Sequence, residues 1–149
     1  MRHFLCTFLF SAALIAHAQD DDLQALNAHF QGTVVFSIDR DDRLIAELSD
    51  ANGPYRRDMA YLEMLDPATF AYNAEEQVVM VRCSAEHAKC IDKELLKSGA
   101  IVPTGRMSLP VPPGDTDGAQ ALALLGKLVR DEQLALRGEG PGTKRKKSR

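Results

Sequence analysis

Two cysteines and a histidine, Cys83, His87 and Cys90, lie close together in the stretch VRCSAEHAKCID. Thiolate and imidazole groups bind zinc and copper, and a fourth ligand for such a site would come from His29 or Asp92. The spacing is neither the C-x-x-C of redox centres nor the C-x-x-C-H of haem attachment. The stretch therefore supports three hypotheses: a metal site, a disulfide between the two cysteines, or free or redox-active thiols.

The first eighteen residues have the features of a secretory signal peptide. Arg2 provides the positive charge, residues 4–15 form an apolar run, and Ala16-His17-Ala18 is a cleavage site of the small-x-small type. Cleavage would leave a mature chain that begins at Gln19 and has no further apolar segment long enough to span a membrane. We expect an exported protein, located in the periplasm if the source has two membranes and secreted otherwise.

Export favours the disulfide. Removal of Cys6 with the signal peptide leaves two cysteines, and cysteines in an oxidising compartment usually pair. In a continuous helix Cys83 and Cys90 would be about 10.5 Å apart along the axis, whereas a disulfide needs Cα atoms within about 7 Å. We therefore expect a loop over residues 84–89 with His87 exposed on it and a strand that begins at Cys90. A cross-strand pair would place Ile91 and Leu95 in the core; the alternative is a metal site formed by Cys83, His87 and Cys90.

Patterns typical of enzymes are absent from the sequence. There is no G-x-S-x-G motif around a serine, and the serines have no recognisable catalytic partner pattern. Glu75 and Glu76 could serve acid–base chemistry on a sugar, but their position between two predicted strands favours a charged turn. We expect a protein without cofactor or catalytic residues; a small hydrolase with an unrecognised site is an alternative.

The first half of the mature chain alternates between short elements. Residues 20–31 predict a helix that ends at Gly32, and residues 33–50 predict a β-hairpin. Residues 51–58 indicate a turn or loop, and residues 59–73 indicate two short segments separated at Asp66-Pro67. The run QVVMVRC, residues 77–83, predicts a strand that is buried on both faces.

The second half ends in an amphipathic helix. The segment GRMSLPV predicts a weaker strand, and residues 118–136 predict a helix with Asp117 as its N-cap, Gln120 in a capping-box position and Gly138 as its stop. A run of antiparallel strands followed by one such helix indicates a small α+β domain, either an open sheet or a partly closed barrel. The expected buried stripe consists of Leu122, Leu125, Leu128 and Val129, with Ala121 and Leu124 beside it.

The charge distribution divides the mature chain into an acidic domain, residues 19–138, and a basic tail, residues 139–149. Up to residue 143 the mature chain has 12 basic and 21 acidic residues, which disfavours binding to nucleic acid. The tail follows a helix-breaking stretch and is expected to be disordered, with attachment to an anionic surface as its possible role. The basic residues of the tail are Lys144, Arg145, Lys146, Lys147 and Arg149.

The order of FQGTVVFSIDRDDRLIAEL, DMAYLEMLDPATFAY, EEQVVMVRC, a second cysteine, GRMSLP and GAQALALLGKLV resembles small exported bacterial proteins of uncharacterised function with a pleckstrin-homology-like fold. The resemblance covers residues 23–130 and implies a fold and export, without catalytic residues. We therefore expect an exported, non-enzymatic binding or scaffolding module of the cell envelope. Its partner would be a protein or a peptide added along an exposed strand edge.

Overall fold

The computed structural model describes residues 16–139, with side chains from residue 21 onward. The chain folds as an α+β protein with a short N-terminal helix, α1 (Ala16–Phe30), and a C-terminal helix, α2 (Ala119–Leu136). Within the described part, no helix is long and apolar enough to cross a membrane. The strands between the helices are β1 (Val34–Ile38), β2 (Arg43–Asp50), β3 (Gly53–Tyr61), β4 (Ala71–Asn73), β5 (Val78–Arg82), β6 (Ile91–Leu95), β7 (Ala100–Thr104) and β8 (Arg106–Pro110).

The strands form two antiparallel sheets. A five-stranded open sheet has the order β1-β2-β3-β6-β7, and a three-stranded sheet has the order β4-β5-β8. The chain changes from the first sheet to the second between β3 and β4 and again at Gly105, which separates β7 from β8. The prediction of a small antiparallel α+β fold is confirmed.

The core lies between the two sheets and the two helices. In β5, Val79 and Val81 are fully buried and Met80 is 8% exposed, which confirms a strand buried on both faces. The helices contribute fully buried side chains to the same cluster, among them Phe30 of α1 and Leu125 of α2. Strands of the larger sheet bury every second side chain against this cluster; these include Val34, Phe36, Leu44, Ala46, Leu48, Ala60 and Ile91.

Strand β3 corrects the prediction of a turn over residues 51–58. The strand runs over nine residues and pairs with β2 on one side and β6 on the other. The strand was not recognised in the sequence because two of its inward-pointing residues, Arg56 and Asp58, are charged. Asp58 is fully buried. The expected core position of Leu95 is also wrong, since 41% of this side chain is exposed.

The start of α2 also differs from the prediction. Gly118, in the left-handed region (φ 67°), occupies the N-cap position, and Asp117 accepts a hydrogen bond from the Ala119 amide (3.1 Å). Asp115 satisfies two further amides of the first turn, those of Gln120 (3.3 Å) and Ala121 (2.9 Å). The helix thus begins where predicted to within one residue, but Asp115 makes more of the capping contacts.

Candidate binding edge of the five-stranded sheet

A side chain of α1 caps the middle of the β1 edge of the five-stranded sheet, at Phe36. Asn27 Nδ2 donates to the carbonyl of Phe36 (3.0 Å), and the Phe36 amide donates to Asn27 Oδ1 (2.6 Å). The side-chain amide thereby replaces the neighbouring strand that an edge residue lacks. Phe36 therefore directs both of its backbone groups away from β2 and has both of them satisfied.

This one orientation fixes the direction of the backbone groups across the whole sheet, because they alternate along each antiparallel strand. Phe36 faces the edge, so its partner Ala46 faces β3. The odd-numbered residues of β3 then face β6, in agreement with the hydrogen bond from the Tyr61 amide to the Cys90 carbonyl (3.3 Å). The even-numbered residues of β6 face β3, and the odd-numbered ones face β7.

The same alternation places the backbone groups of Ile101 and Pro103 on the opposite edge of the sheet. The residues of β7 that pair with odd-numbered β6 residues, such as Val102 with Lys93, point toward β6. Ile101 and Pro103 lie between those positions and point outward. Among residues 16–139, β7 pairs with β6 alone. We call this side of β7 the free edge; it presents the Ile101 N–H, the Ile101 C=O and the Pro103 C=O.

Apolar side chains surround the free edge. Ile101 is 57% exposed and Val102 is 49% exposed, on opposite faces of the sheet. Leu95, on the same face as Val102, projects from the neighbouring strand. An edge strand with exposed β-branched residues favours the addition of another strand, and a proline limits how far such pairing can extend.

The outer face of the sheet, the face directed away from the core, carries a row of charges that leads to the free edge. Arg57 lies between Glu47 (2.8 Å) and Glu94 (3.3 Å), in register with Ile101 at the end of the row. The hydrogen bond with Glu47 and the nearby Glu94 raise the pKa of Arg57. Two carboxylates share one guanidinium, so the row has a net negative charge.

A shallow depression of about 460 Å³ lies on the outer face of the sheet over β1, β2 and β3. At its rim Asp39 accepts from the amides of Asp41 (2.9 Å) and Arg43 (3.0 Å) and pairs with the Arg43 guanidinium (2.7 Å). Burial opposes these contacts, but the contacts prevail and lower the pKa of Asp39. The lining residues are Val35, Ser37, Asp39, Arg43, Ile45, Glu47, Arg57 and Met59.

The predicted cysteine pair joins the two sheets. Cys83 and Cys90 form a disulfide with their Cα atoms 5.8 Å apart, and residues 84–89 form the expected loop before β6 begins at Ile91. The loop lies between two strands, as expected. Cys83 follows β5 of the smaller sheet and Cys90 precedes β6 of the larger one, so the pair is not a cross-strand pair within one sheet. The disulfide therefore fixes the β6–β7 hairpin, and with it the free edge, to the smaller sheet.

His87 lies exposed on the loop, as predicted, with its Nδ1 at 2.9 Å from the Ser84 hydroxyl. The two are three residues apart in a turn, and among the described residues no carboxylate orients the imidazole as a catalytic pair requires. Cys83 and Cys90 bind each other, so their sulfurs are not available as thiolate ligands. In residues 16–139 no group of three or more histidine, cysteine, aspartate or glutamate side chains is arranged to hold a metal ion.

His29, the suggested fourth ligand, contacts Asp115 instead. His29 Nε2 lies 2.9 Å from Asp115 Oδ2, and both side chains are nearly buried. Burial raises the pKa of Asp115, but the bond from the Ala121 amide, together with those from His29 and Gln120, outweighs burial and holds this pKa below its ordinary value. The contact joins α1 to the start of α2, a pairing across 86 residues that spacing in the sequence could not reveal.

A second buried carboxylate, Asp58, lies between the sheets. Arg56 Nε is 3.1 Å from Asp58 Oδ1, yet neither carboxylate oxygen accepts a hydrogen bond of suitable geometry from the described residues. Burial raises the pKa of Asp58, against the opposing effect of Arg56 and Lys93. Arg56 also donates to the Ser108 carbonyl of β8 (2.6 Å) and so links the two sheets.

The predicted signal peptide lies outside the described residues except for Ala16, His17 and Ala18, which open α1. Residues 140–149, with the predicted surface contacts Lys144, Arg145, Lys146, Lys147 and Arg149, also lie outside them. No protein family, no curated protein and no solved structure matches the chain.

Proposed function

We propose that the protein is an exported, non-enzymatic binding module that takes up an extended peptide segment along the free edge of β7. The observation that carries this proposal is the contrast between the two edges of one sheet. Asn27 caps Phe36 in the middle of the β1 edge, whereas among the described residues no strand pairs with the backbone groups that Ile101 and Pro103 present beside exposed apolar side chains. Strand addition uses these groups for affinity and alternate side chains for specificity.

The free edge suits a short segment. An antiparallel strand opposite Ile101 exchanges two hydrogen bonds with that residue and donates a third to the Pro103 carbonyl. Pro103 offers no N–H in return, so pairing ends there. Val102 and Leu95 would cover apolar side chains of the added segment on the inner face, where both are exposed.

Export is part of the proposal. It is supported by the leader pattern of residues 1–18 and by the disulfide between Cys83 and Cys90, which persists in an oxidising compartment. Mass spectrometry of the protein from its native source should find an N-terminus at Gln19 and no free thiol. A chain that retains Met1, or that carries two free thiols, would contradict export.

The pleckstrin-homology-like assignment belongs to the same proposal. Two antiparallel sheets and a C-terminal helix packed on them support it. In α2, Gln133 Nε2 donates to the carbonyls of Leu62 and Leu65 (2.8 Å each), so the helix is fastened to the segment where the chain leaves the larger sheet. An experimental structure compared with that fold would test the assignment; a different strand connectivity would refute it.

The basic tail would attach this module to an anionic envelope surface. Five basic residues, Lys144, Arg145, Lys146, Lys147 and Arg149, follow an acidic domain. Binding of the mature chain to vesicles with anionic lipids should fall steeply with salt and should be lost when residues 144–149 are removed. Equal binding with and without those residues at low salt would exclude this role.

Selection from a displayed library of random octapeptides, with the mature chain as bait, tests the peptide-binding function. Ile101→Pro removes the edge-facing donor of β7 without removing a bond to β6, and should weaken binding of the selected peptides about tenfold. Ile101→Val, which keeps the N–H and a β-branched side chain, is the matched control and should bind within about twofold of the native chain.

Denaturation with urea shows whether Ile101→Pro folds. If it does not, singly N-methylated forms of the selected peptides replace it, because each lacks one backbone donor. Binding that is unchanged by Ile101→Pro, or by N-methylation at every position, would overturn the proposed function. Failure of the library to yield any peptide that protects the Ile101 amide would do the same.

A further inference from the structure

The side chains around β7 indicate which type of residue the bound segment carries, in addition to its backbone pairing. Resting on the proposed function, we infer that the segment bound at the free edge carries a lysine or arginine opposite Pro103, where it pairs with Asp92 on the outer face. Asp92 and Pro103 are direct cross-strand partners of β6 and β7. The inference follows from the direction of the side chains, from unpaired charge and from the excess of acidic residues in the domain.

The direction of the side chains follows from the pleat of the sheet. Alternate residues of β7 lie on opposite faces, with Val102 on the inner face beside Lys93 and with Ile101 and Pro103 on the outer face. A strand added at the free edge continues the rows of the sheet. The residue opposite Pro103 therefore points to the outer face, in one row with Asp92 and Met59.

Asp92 is the unpaired charge in that row. It is partly buried, and among the described residues it has no ion pair or side-chain hydrogen bond. The carboxylate of Glu94 in the next row is already shared with Arg57 (3.3 Å). A cation delivered from the free edge would therefore meet Asp92 without competition from Arg57.

The distance suits a long side chain. Two strand spacings, about 9.6 Å, separate the backbone of Asp92 from that of an added strand. Between them lies Pro103, whose compact ring leaves the route across the outer face open. A lysine or arginine can lay its aliphatic stem over such a ring and place its charge at the carboxylate. A short or acidic side chain in the same place would leave Asp92 unpaired or repelled.

A second copy of the chain fits the edge less well. A two-fold antiparallel pair of β7 strands centred on Val102 places Ile101 of the other copy opposite Pro103 and leaves the Ile101 carbonyl without a donor. A pair centred on Ile101 satisfies that residue but places Gly99 of the other copy opposite Pro103. In neither register does the residue opposite Pro103 carry a charge for Asp92. The excess of acidic residues in the domain, 21 against 12 basic ones up to residue 143 of the mature chain, also favours a basic partner.

Two synthetic hexapeptides test the inference, one with alternating valine and lysine and one with alternating valine and glutamate, both with blocked ends. The mature chain should bind the lysine peptide about fivefold more tightly, the effect of one cross-strand charge pair. Asp92→Lys should abolish or reverse the preference. Glu63→Lys, the same charge change at an exposed residue outside β6 and β7, should leave it intact.

Hydrogen exchange at the Ile101 amide distinguishes failure of the basic-partner inference from failure of the proposed peptide-binding function. Equal affinity for both peptides with protection of this amide would overturn the basic partner and leave the peptide-binding function standing. A lysine preference that survives Asp92→Lys would also overturn it. Concentration-dependent dimerisation that is abolished by Ile101→Pro would replace the peptide by a second copy. Absence of protection by either peptide and by every library peptide would refute the function itself.

Discussion

The side chain of Asn27 and the main chain of Phe36 form two hydrogen bonds, at 3.0 and 2.6 Å, that cap the middle of one edge of the five-stranded sheet. Ile101, on the opposite edge, directs its backbone groups to a side where no described strand pairs with β7. Natural proteins usually protect both edges of a sheet, because an open edge invites association. Within the described residues the sheet is therefore asymmetric, capped at Phe36 on one edge and without a pairing strand on the other, and the proposed strand binding rests on this asymmetry.

Replacement of Asn27 measures how much the closed edge contributes to stability. Asn27→Ala leaves the Phe36 amide and carbonyl without partners next to the core, which should lower the free energy of unfolding by about 1–3 kcal/mol. Asn52→Ala, at an exposed turn asparagine, is the control and should change it by less than about 0.5 kcal/mol. Urea denaturation of both variants provides the comparison; equal stability would contradict the role of Asn27.

The two aspartates before α2 should differ in their contribution. Asp115→Ala removes the acceptor of two helix amides and leaves His29 nearly buried without its partner, at a cost of about 2 kcal/mol. Asp117→Ala removes one exposed acceptor and should cost about 0.5 kcal/mol. The reverse order in thermal or urea denaturation would show that Asp117 is the principal cap.

The lowered pKa of Asp115 also predicts a dependence on pH. The folded pKa lies below the ordinary value of 3.8, so the native state binds the proton less readily than the unfolded chain. The stabilisation is present above pH 3.8 and is lost as the pH falls through the folded pKa. Unfolding measured between pH 2 and 6 should show a steeper acid loss in the native chain than in Asp115→Asn; parallel curves would contradict this.

The contribution of Asp58 to stability should change with pH in the opposite direction. Burial raises its folded pKa above the ordinary value of 3.8, so the contribution to stability is fully present below that value and is lost as the pH rises through the folded pKa. Asp58→Asn should remove this decline, while Arg56→Met, which leaves the buried carboxylate unpaired, should make it steeper. Denaturation midpoints from pH 3 to 8 for the three proteins test the sign; a decline that persists in Asp58→Asn would refute it.

Gly105, at the corner between β7 and β8, lies against the disulfide loop. A β-carbon at this position would lie 2.5 Å from the Ala88 carbonyl oxygen, so Gly105→Ala must displace residues 84–89 and should cost about 1–3 kcal/mol. Gly114→Ala, with nothing within 4 Å of the added atom, is the matched control and should cost nothing. If Gly105→Ala leaves the free energy of unfolding unchanged, residues 84–89 can move aside without cost.

The elements with a regular apolar pattern could be predicted from the sequence. The hairpin of β1 and β2, the buried strand β5 and helix α2 have alternating, continuous or helical patterns that packing confirms. Strand β3 could not be recognised because its inward positions include Arg56 and Asp58, two charged residues that lie 3.1 Å apart between the sheets. The short strand β7 could not be recognised either, because it contains Pro103 and lacks the alternation of apolar and polar residues that predicts a strand.

The candidate site was less predictable. The pairing of Cys83 with Cys90 was predicted from export, and the loop between them from the geometry of a disulfide. The position of the pair between two sheets depends on where each strand pairs. The free edge is a property of the whole sheet. Neither the closure of β1 by Asn27 nor the outward direction of Ile101 can be read from residue spacing, because both depend on contacts between separate elements.

Amide hydrogen exchange at Ile101, compared with Phe36, tests the central claim most directly. Without peptide, we expect fast exchange at Ile101 and protection at Phe36, because Asn27 accepts from the Phe36 amide and no described strand pairs with the free edge. With a selected peptide bound, Ile101 should become protected while Phe36 stays unchanged. An Ile101 amide that is already protected in the free protein, or that still exchanges fast when the peptide is bound, would contradict the account.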